Sequence, residues 1–162
     1  MLTPGRRSAV RRSRFLSRHP GLRDTARAMS QENVDLVRRI YSLLDQGDAA
    51  VWDLAPPDVV FDFSRRLIDP VLLRGRDQVR AWADREGEIW EGRHTRWQPE
   101  ELIDAGEKVL AFIRTGGRGN GSGVEVEAYV WNVWTFRDGK PVEWTYFGED
   151  RAAALEAAGL SE

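Results

Sequence analysis

Read at the two-residue period of a β-strand, Val124 to Phe136 places Val124, Val126, Ala128, Val130, Asn132, Trp134 and Phe136 on one face. Only Asn132 interrupts that apolar row. An unpaired buried amide costs about 1–3 kcal/mol, so Asn132 is expected either to be fully bonded inside the fold or to meet a cavity where a ligand uses it. Trp97 to Ile103, Glu107 to Thr115 and Val142 to Gly148 read as further strands, forming a meander of antiparallel neighbours. Asp138-Gly139 predicts a type I′ hairpin between 124–136 and 142–148, because both residue types tolerate positive φ. The glycine-rich run from Gly116 to Gly123 matches neither the dinucleotide fingerprint nor the P-loop and lies between strands, so it is read as a hairpin connection.

Upstream the period changes to that of a helix. After Ser30, a good N-cap, apolar residues recur at Val34, Val37, Ile40, Tyr41 and Leu44, and Gly47 ends the pattern. Asp48 caps a short second helix that Pro56-Pro57 must stop, and Val59 to Phe63 reads as a strand. A third helix carries Val79, Trp82, Ala83, Ile89 and Trp90 on one side, with Gly87 inside it. The Ala-rich stretch Asp150 to Ala158, closed by Gly159, predicts a terminal helix. Helices first and strands afterwards make an α+β domain, with helices covering one face of a curved antiparallel sheet.

Charge divides the chain. Residues 1–28 hold eight arginines against one acid, Asp24, a formal +7, so the remainder carries −9 of the total of −2. We therefore expect a disordered Arg-rich extension over 1–28, read as leader sequence ahead of Met29, and one domain over 29–162. The acidic body has no basic patch interleaved with aromatics, which argues against a nucleic-acid partner. No window approaches the roughly 18 apolar residues of a membrane span, and no secretory h-region is present, so a cytoplasmic location is expected. With no Cys, and His19 and His94 isolated, no metal site and no cofactor are expected. The 7 Trp, 6 Phe and 3 Tyr are ample material for a core or an apolar cavity.

Five segments together resemble the SnoaL-like group of the nuclear transport factor 2-like superfamily, which also houses ketosteroid isomerase. They are Leu43-Leu44-Asp45-Gln46-Gly47-Asp48, Pro57-Asp58-Val59-Val60-Phe61-Asp62, Arg74-Gly75-Arg76-Asp77, Asn132 through Lys140, and Asp150 through Leu160. The resemblance covers roughly residues 30–160. It implies a cone-shaped, cystatin-like fold, a curved antiparallel sheet wrapped by three helices around an apolar cavity. Family enzymes use that cavity for proton transfer on ketones, ring closure or dehydration, without cofactor.

Carried over position by position, the strand donor of ketosteroid isomerase falls on Asn132, and its helix-one donor on Ile40, with Tyr41 one step away. The base position falls beside Asp62 if the strand is aligned without gaps, or on Asp69 if the Asp69-Pro70 step is matched. Parity puts Arg114 with Phe112 and Leu110 on the face the resemblance turns inward, where Asp62, Asp69, Glu143 or an anionic ligand would partner it. The Asp-Arg-Asp arrangement of epoxide hydrolases of this fold is not matched, since its acid positions fall on Gly116 and Thr145.

Two functional readings stay open. In one, Asp62 or Asp69 removes a proton next to a carbonyl, and Asn132 with Tyr129 or Arg114 holds the oxyanion. In the other, the cavity binds a small apolar or anionic molecule without catalysis, or the domain serves as a dimerisation module. Tyr41, Trp82, Phe112 and Thr145 are the further candidates for contact with a ligand. Tyr129 and Trp131, with Trp144 and Tyr146, are expected on a homodimer interface.

Overall fold

The computed structural model describes residues 21–162. Residues 1–20 of the expected extension lie outside the described residues. Helix α1 runs from Leu22 to Gln46 and so begins ahead of Ser30. Ser30 is no N-cap. It is buried within α1 and its hydroxyl donates to the Arg27 carbonyl at 3.0 Å, an intrahelical bond that lets a polar residue sit mid-helix. The predicted apolar stripe is the buried one, with Val34, Val37, Ile40 and Tyr41 in the core.

Asp48 Oδ1 accepts from Ala50 N at 2.9 Å and opens α2, Val51–Leu54. Strand β1, Val60–Asp62, is followed by β2, Leu72–Arg74, then α3, Arg76–Gly87. Gly87 is the last residue of α3, so Ile89 and Trp90 lie beyond the helix in which they were expected. Strands β3 (Arg96–Ala105), β4 (Lys108–Arg118), β5 (Glu125–Arg137) and β6 (Lys140–Gly148) follow, and α4, Arg151–Ala158, closes the chain. Asp150 Oδ1 caps α4 by accepting from Ala153 N at 3.0 Å. Among the described residues no helix is long and apolar enough to cross a membrane.

The six strands form one sheet in the order β2-β1-β6-β5-β4-β3. Strands β3 to β6 are the expected antiparallel meander, but β1 runs parallel to β6, so the sheet is mixed. Asp138 and Gly139 adopt φ of 51° and 73°, both positive as a type I′ turn requires, and Arg137 pairs with Lys140 across them.

Register decides which side chains face the cavity. Val130 pairs with Ile113, Asn132 with Ala111 and Trp134 with Val109, so the even face of β5 joins the odd face of β4 in the core beneath α1 and α3. The opposite face carries Leu110, Trp131, Val133 and Phe147, covered by Ala154, Leu155 and Ala158 of α4. The inward reading of Arg114 and Phe112 is thereby reversed. Arg114 pairs with Tyr129 and Phe112 with Trp131, all on the α4 side.

Candidate functional site

Between α1, α2, α3 and the inner sheet face lies a cavity of about 440 Å3. Its floor is the inner row of β4, β5 and β6, with Thr115, Ala128, Val130, Asn132, Trp144 and Tyr146. Its walls come from Leu43, Leu44 and Trp52 on one side, and from Trp82, Ala83 and Glu86 of α3 on another. Trp82 and Glu86 are four residues apart, which puts both on one side of α3. An adjoining chamber of about 60 Å3, which shares Trp82 and Trp144 with the first, is lined only by apolar and aromatic residues.

Asn132 is fully buried at the cavity floor, as its interruption of the apolar row implied. Its Nδ2 donates to the Tyr41 hydroxyl at 3.5 Å, and Trp134 Nε1 donates to the same oxygen at 3.0 Å. Two N–H donors therefore converge on one oxygen, and Asn132 Oδ1 has no partner among the described residues. Turning the carboxamide by about 180° lets Tyr41 O–H donate to Oδ1 and frees the amide N–H groups for another acceptor. Burial pushes the Tyr41 pKa well above its ordinary 10.0, and the bonds from Trp134, Asn132 and Trp144 offset only part of that rise. Tyr41 is thus a neutral hydroxyl that braces Asn132 from behind. It does not line the cavity itself, contrary to its expected contact with a ligand.

A second polar group sits on the wall. Arg66, in the turn after β1, donates through Nη2 to Glu86 Oε2 at 3.2 Å, and both side chains are about a quarter exposed. The turn that places it is closed by Arg66 N donating to the Phe63 carbonyl at 3.0 Å. The guanidinium carbon stands 5.4 Å from the Trp82 ring and 5.8 Å from Phe63. Arg66 Nη1 and Trp82 Nε1 are both buried without a hydrogen-bond partner among the described residues. An unmet buried donor costs about 1–3 kcal/mol, and these two stand on the wall beside Phe63.

Of the residues expected from the sequence, the structure brings Asn132 and Trp82 to this site, with Tyr41 behind Asn132, and Trp90 lines it without filling it. The two carboxylates expected as bases are elsewhere. Asp62 pairs with Thr145 on the outer face, where its Oδ1 accepts from Ser64 N at 2.9 Å and closes a turn. Asp69 is exposed at a turn with φ of 51°. Neither lines the cavity. Thr145 bonds Glu143 on the outer face at 3.0 Å. Arg114 is held there by Gln98, Glu100 and Glu127, so its guanidinium has partners without any ligand. Phe112 stacks between Tyr129 and Trp131, centroids 5.8 and 4.5 Å away. Trp144 and Tyr146, expected on an interface, instead face the cavity. Arg66 and Glu86 had no sequence signal stronger than ordinary surface charges, although Arg66 three residues after Phe63 and just before the Asp69-Pro70 turn marks a charge held close to the aromatic core.

A curved α+β cone enclosing a pocket between helices and sheet defines the nuclear transport factor 2-like class. The chain belongs to the SnoaL-like domain family, which residues 37–144 match. Three solved structures show the same fold. Bal32a, from a soil-derived mobile gene cassette, is 18% identical, with TM-score 0.65 over 79% of this chain and 97% of its own. A protein of Jannaschia sp. CCS1, named as a SnoaL-like polyketide cyclase, is 20% identical, with TM-score 0.63 over 81% and 94%. TerC, co-crystallised with polyporic acid, is 19% identical, with TM-score 0.61 over 79% and 98%. No curated protein matches the chain.

Proposed function

We propose that this SnoaL-like domain binds a small, largely apolar carbonyl compound in the cavity and presents the Asn132 amide to its oxygen. The observation that carries this reading is Asn132 itself, buried on the floor of a cavity of about 440 Å3 with part of its hydrogen-bonding capacity unused. With the carboxamide turned so that Tyr41 O–H donates to Oδ1, and Tyr41 held in turn by Trp134, the Asn132 N–H groups meet a carbonyl oxygen as braced donors. The named cyclase and the polyporic acid complex among proteins of this fold support a small-molecule ligand.

Acid–base catalysis needs a carboxylate beside that oxygen. Asp62 and Asp69 lie off the cavity, the lining carboxylates Asp48 and Asp84 are exposed, and Glu86 is committed to Arg66 at 3.2 Å. We therefore adopt the binding reading over an isomerase, cyclase or dehydratase. The outer face, where Phe112 stacks with Tyr129 and Tyr129 stays 42% exposed, supports a homodimer as part of the same reading. A thermal-shift titration with 1-tetralone and 4-acetylbiphenyl tests the binding claim, because a ligand that binds only the folded form raises the melting temperature. A saturable rise is expected with at least one ketone. A flat response to both up to their solubility limits refutes it.

A further inference from the structure

The cavity changes character along its length. Arg80, Asp84, Arg93 and His94 line it and are exposed, so its mouth is charged. Two elements show where it leads from there. Along β5 the floor passes from Val130 and Asn132 in the main cavity to Trp134 in the adjoining chamber of about 60 Å3. Along α1 the wall passes from Gly47, past Leu44, which borders both spaces, to Ile40 in the chamber. Two residues of strand span about 7 Å, so the chamber lies that far beyond the Asn132 carboxamide.

The chamber exposes no polar atom. The indole N–H groups of Trp82 and Trp144, which border it, are shut off from open space. Its volume exceeds the roughly 10–15 Å3 that one water needs, but a water there has no hydrogen-bond partner, so the space is dry. Close-packed interiors keep few such voids, and this one continues a ligand cavity. It stays open because two positions on its wall carry small side chains, Ala55 after α2 and Ala83 on α3.

Resting on the small-molecule reading above, we propose that the chamber is a hydrocarbon subsite that selects carbonyl ligands by an unsubstituted alkyl end, and that Ala55 and Ala83 set the size of that end. The ligand enters hydrocarbon first, its oxygen stops at Asn132, and further polar groups stay at the charged mouth. Each carbon that fills the dry space strengthens binding about fourfold. A hydroxyl of nearly the size of a methyl gives up its bonds to water and regains none, which weakens binding about tenfold or more.

Calorimetry with three ketones of one frame, 1-tetralone, 6-methyl-1-tetralone and 6-hydroxy-1-tetralone, tests the subsite, because position 6 lies across the ring from the carbonyl carbon. The methyl compound is expected to bind about fourfold more tightly than 1-tetralone, and the hydroxy compound about tenfold more weakly than the methyl one. Ala55 lines the chamber and not the main cavity, and its φ of −88° suits a larger side chain. Ala55→Leu is therefore expected to close the chamber and remove the methyl gain while 1-tetralone keeps its affinity. Should that variant fail to fold, the wild-type protein carries the test through Trp134, which lines only the chamber. Its indole 15N–1H signal is expected to move further with 6-methyl-1-tetralone than with 1-tetralone, and equal movement contradicts the proposal. If methyl and hydroxy compounds bind alike, or the methyl gain survives in Ala55→Leu, the subsite falls and the cavity reading stands. If none of the three binds while 4-acetylbiphenyl does, the subsite again falls alone. If no ketone binds, both fall.

Discussion

The indole N–H of Trp134 on β5 donates to the hydroxyl of Tyr41 on α1 at 3.0 Å, joining positions 93 residues apart in the buried interior. The bond explains how a polar carboxamide can stand at the floor of an apolar cavity. Tyr41 gives Asn132 a partner, and Trp134 gives Tyr41 one. Tyr41→Phe removes the shared oxygen and leaves two buried N–H groups without an acceptor. We predict a loss of about 1–3 kcal/mol in unfolding free energy by chemical denaturation at neutral pH. A change within experimental error contradicts the bracing role.

The same hydroxyl sets an alkaline limit. Burial holds the folded-state pKa of Tyr41 above the ordinary 10.0, so above that pH the folded protein keeps a proton that the unfolded chain has lost. Stability from this group is complete below pH 10 and declines as pH rises beyond it, with a slope of at most about 1.4 kcal/mol per pH unit. Denaturation at several pH values from neutral to strongly alkaline is expected to show a steeper decline for wild type than for Tyr41→Phe. Parallel declines contradict a buried neutral Tyr41.

Asp62 and Asp69 serve as controls. Asp62 closes a turn on the outer sheet face and Asp69 is exposed, so Asp62→Asn and Asp69→Asn are expected to change ligand affinity by no more than about twofold. Loss of binding in either variant, with folding intact, returns a carboxylate to the site.

Gly116 reports on the sheet that forms the cavity floor. It lies on β4 at φ 130°, and a Cβ there would run into the Val126 carbonyl on β5. Gly116→Ala is expected to destabilise the domain by about 3 kcal/mol or more, by forcing the strands apart and straining the backbone. A near-neutral effect in thermal unfolding contradicts this pairing.

The contrast between β5 and β4 shows what the residue pattern reveals. On β5 the face was readable because Asn132 breaks an otherwise apolar row and Asp138-Gly139 ties the strand to β6. On β4 both rows are apolar, Val109, Ala111 and Ile113 against Leu110 and Phe112, so alternation alone cannot choose between them. The deciding fact is the pairing of Ile113 with Val130, a long-range register set across a glycine-rich connection. Turning the even row of β4 inward sent Arg114 and Phe112 to the wrong side, whereas Tyr129 lies on the outer face that the parity of β5 implies. Strand β2 escaped because three residues carry too little periodicity. Arg66 escaped because its place depends on the turn that folds back over Phe63, and an arginine pair in a turn otherwise reads as solvated.

The central claim is that the inner sheet face, and not the outer one, receives a small molecule. Its most direct measurement is an indole 15N–1H spectrum of the protein, whose seven tryptophans are assigned by single Trp→Phe variants, titrated with 4-acetylbiphenyl. The account predicts that the Trp82 and Trp144 signals shift and saturate together while Trp131, on the outer face beside Arg151, stays in place. Movement of Trp131 with Trp82 and Trp144 unmoved contradicts it.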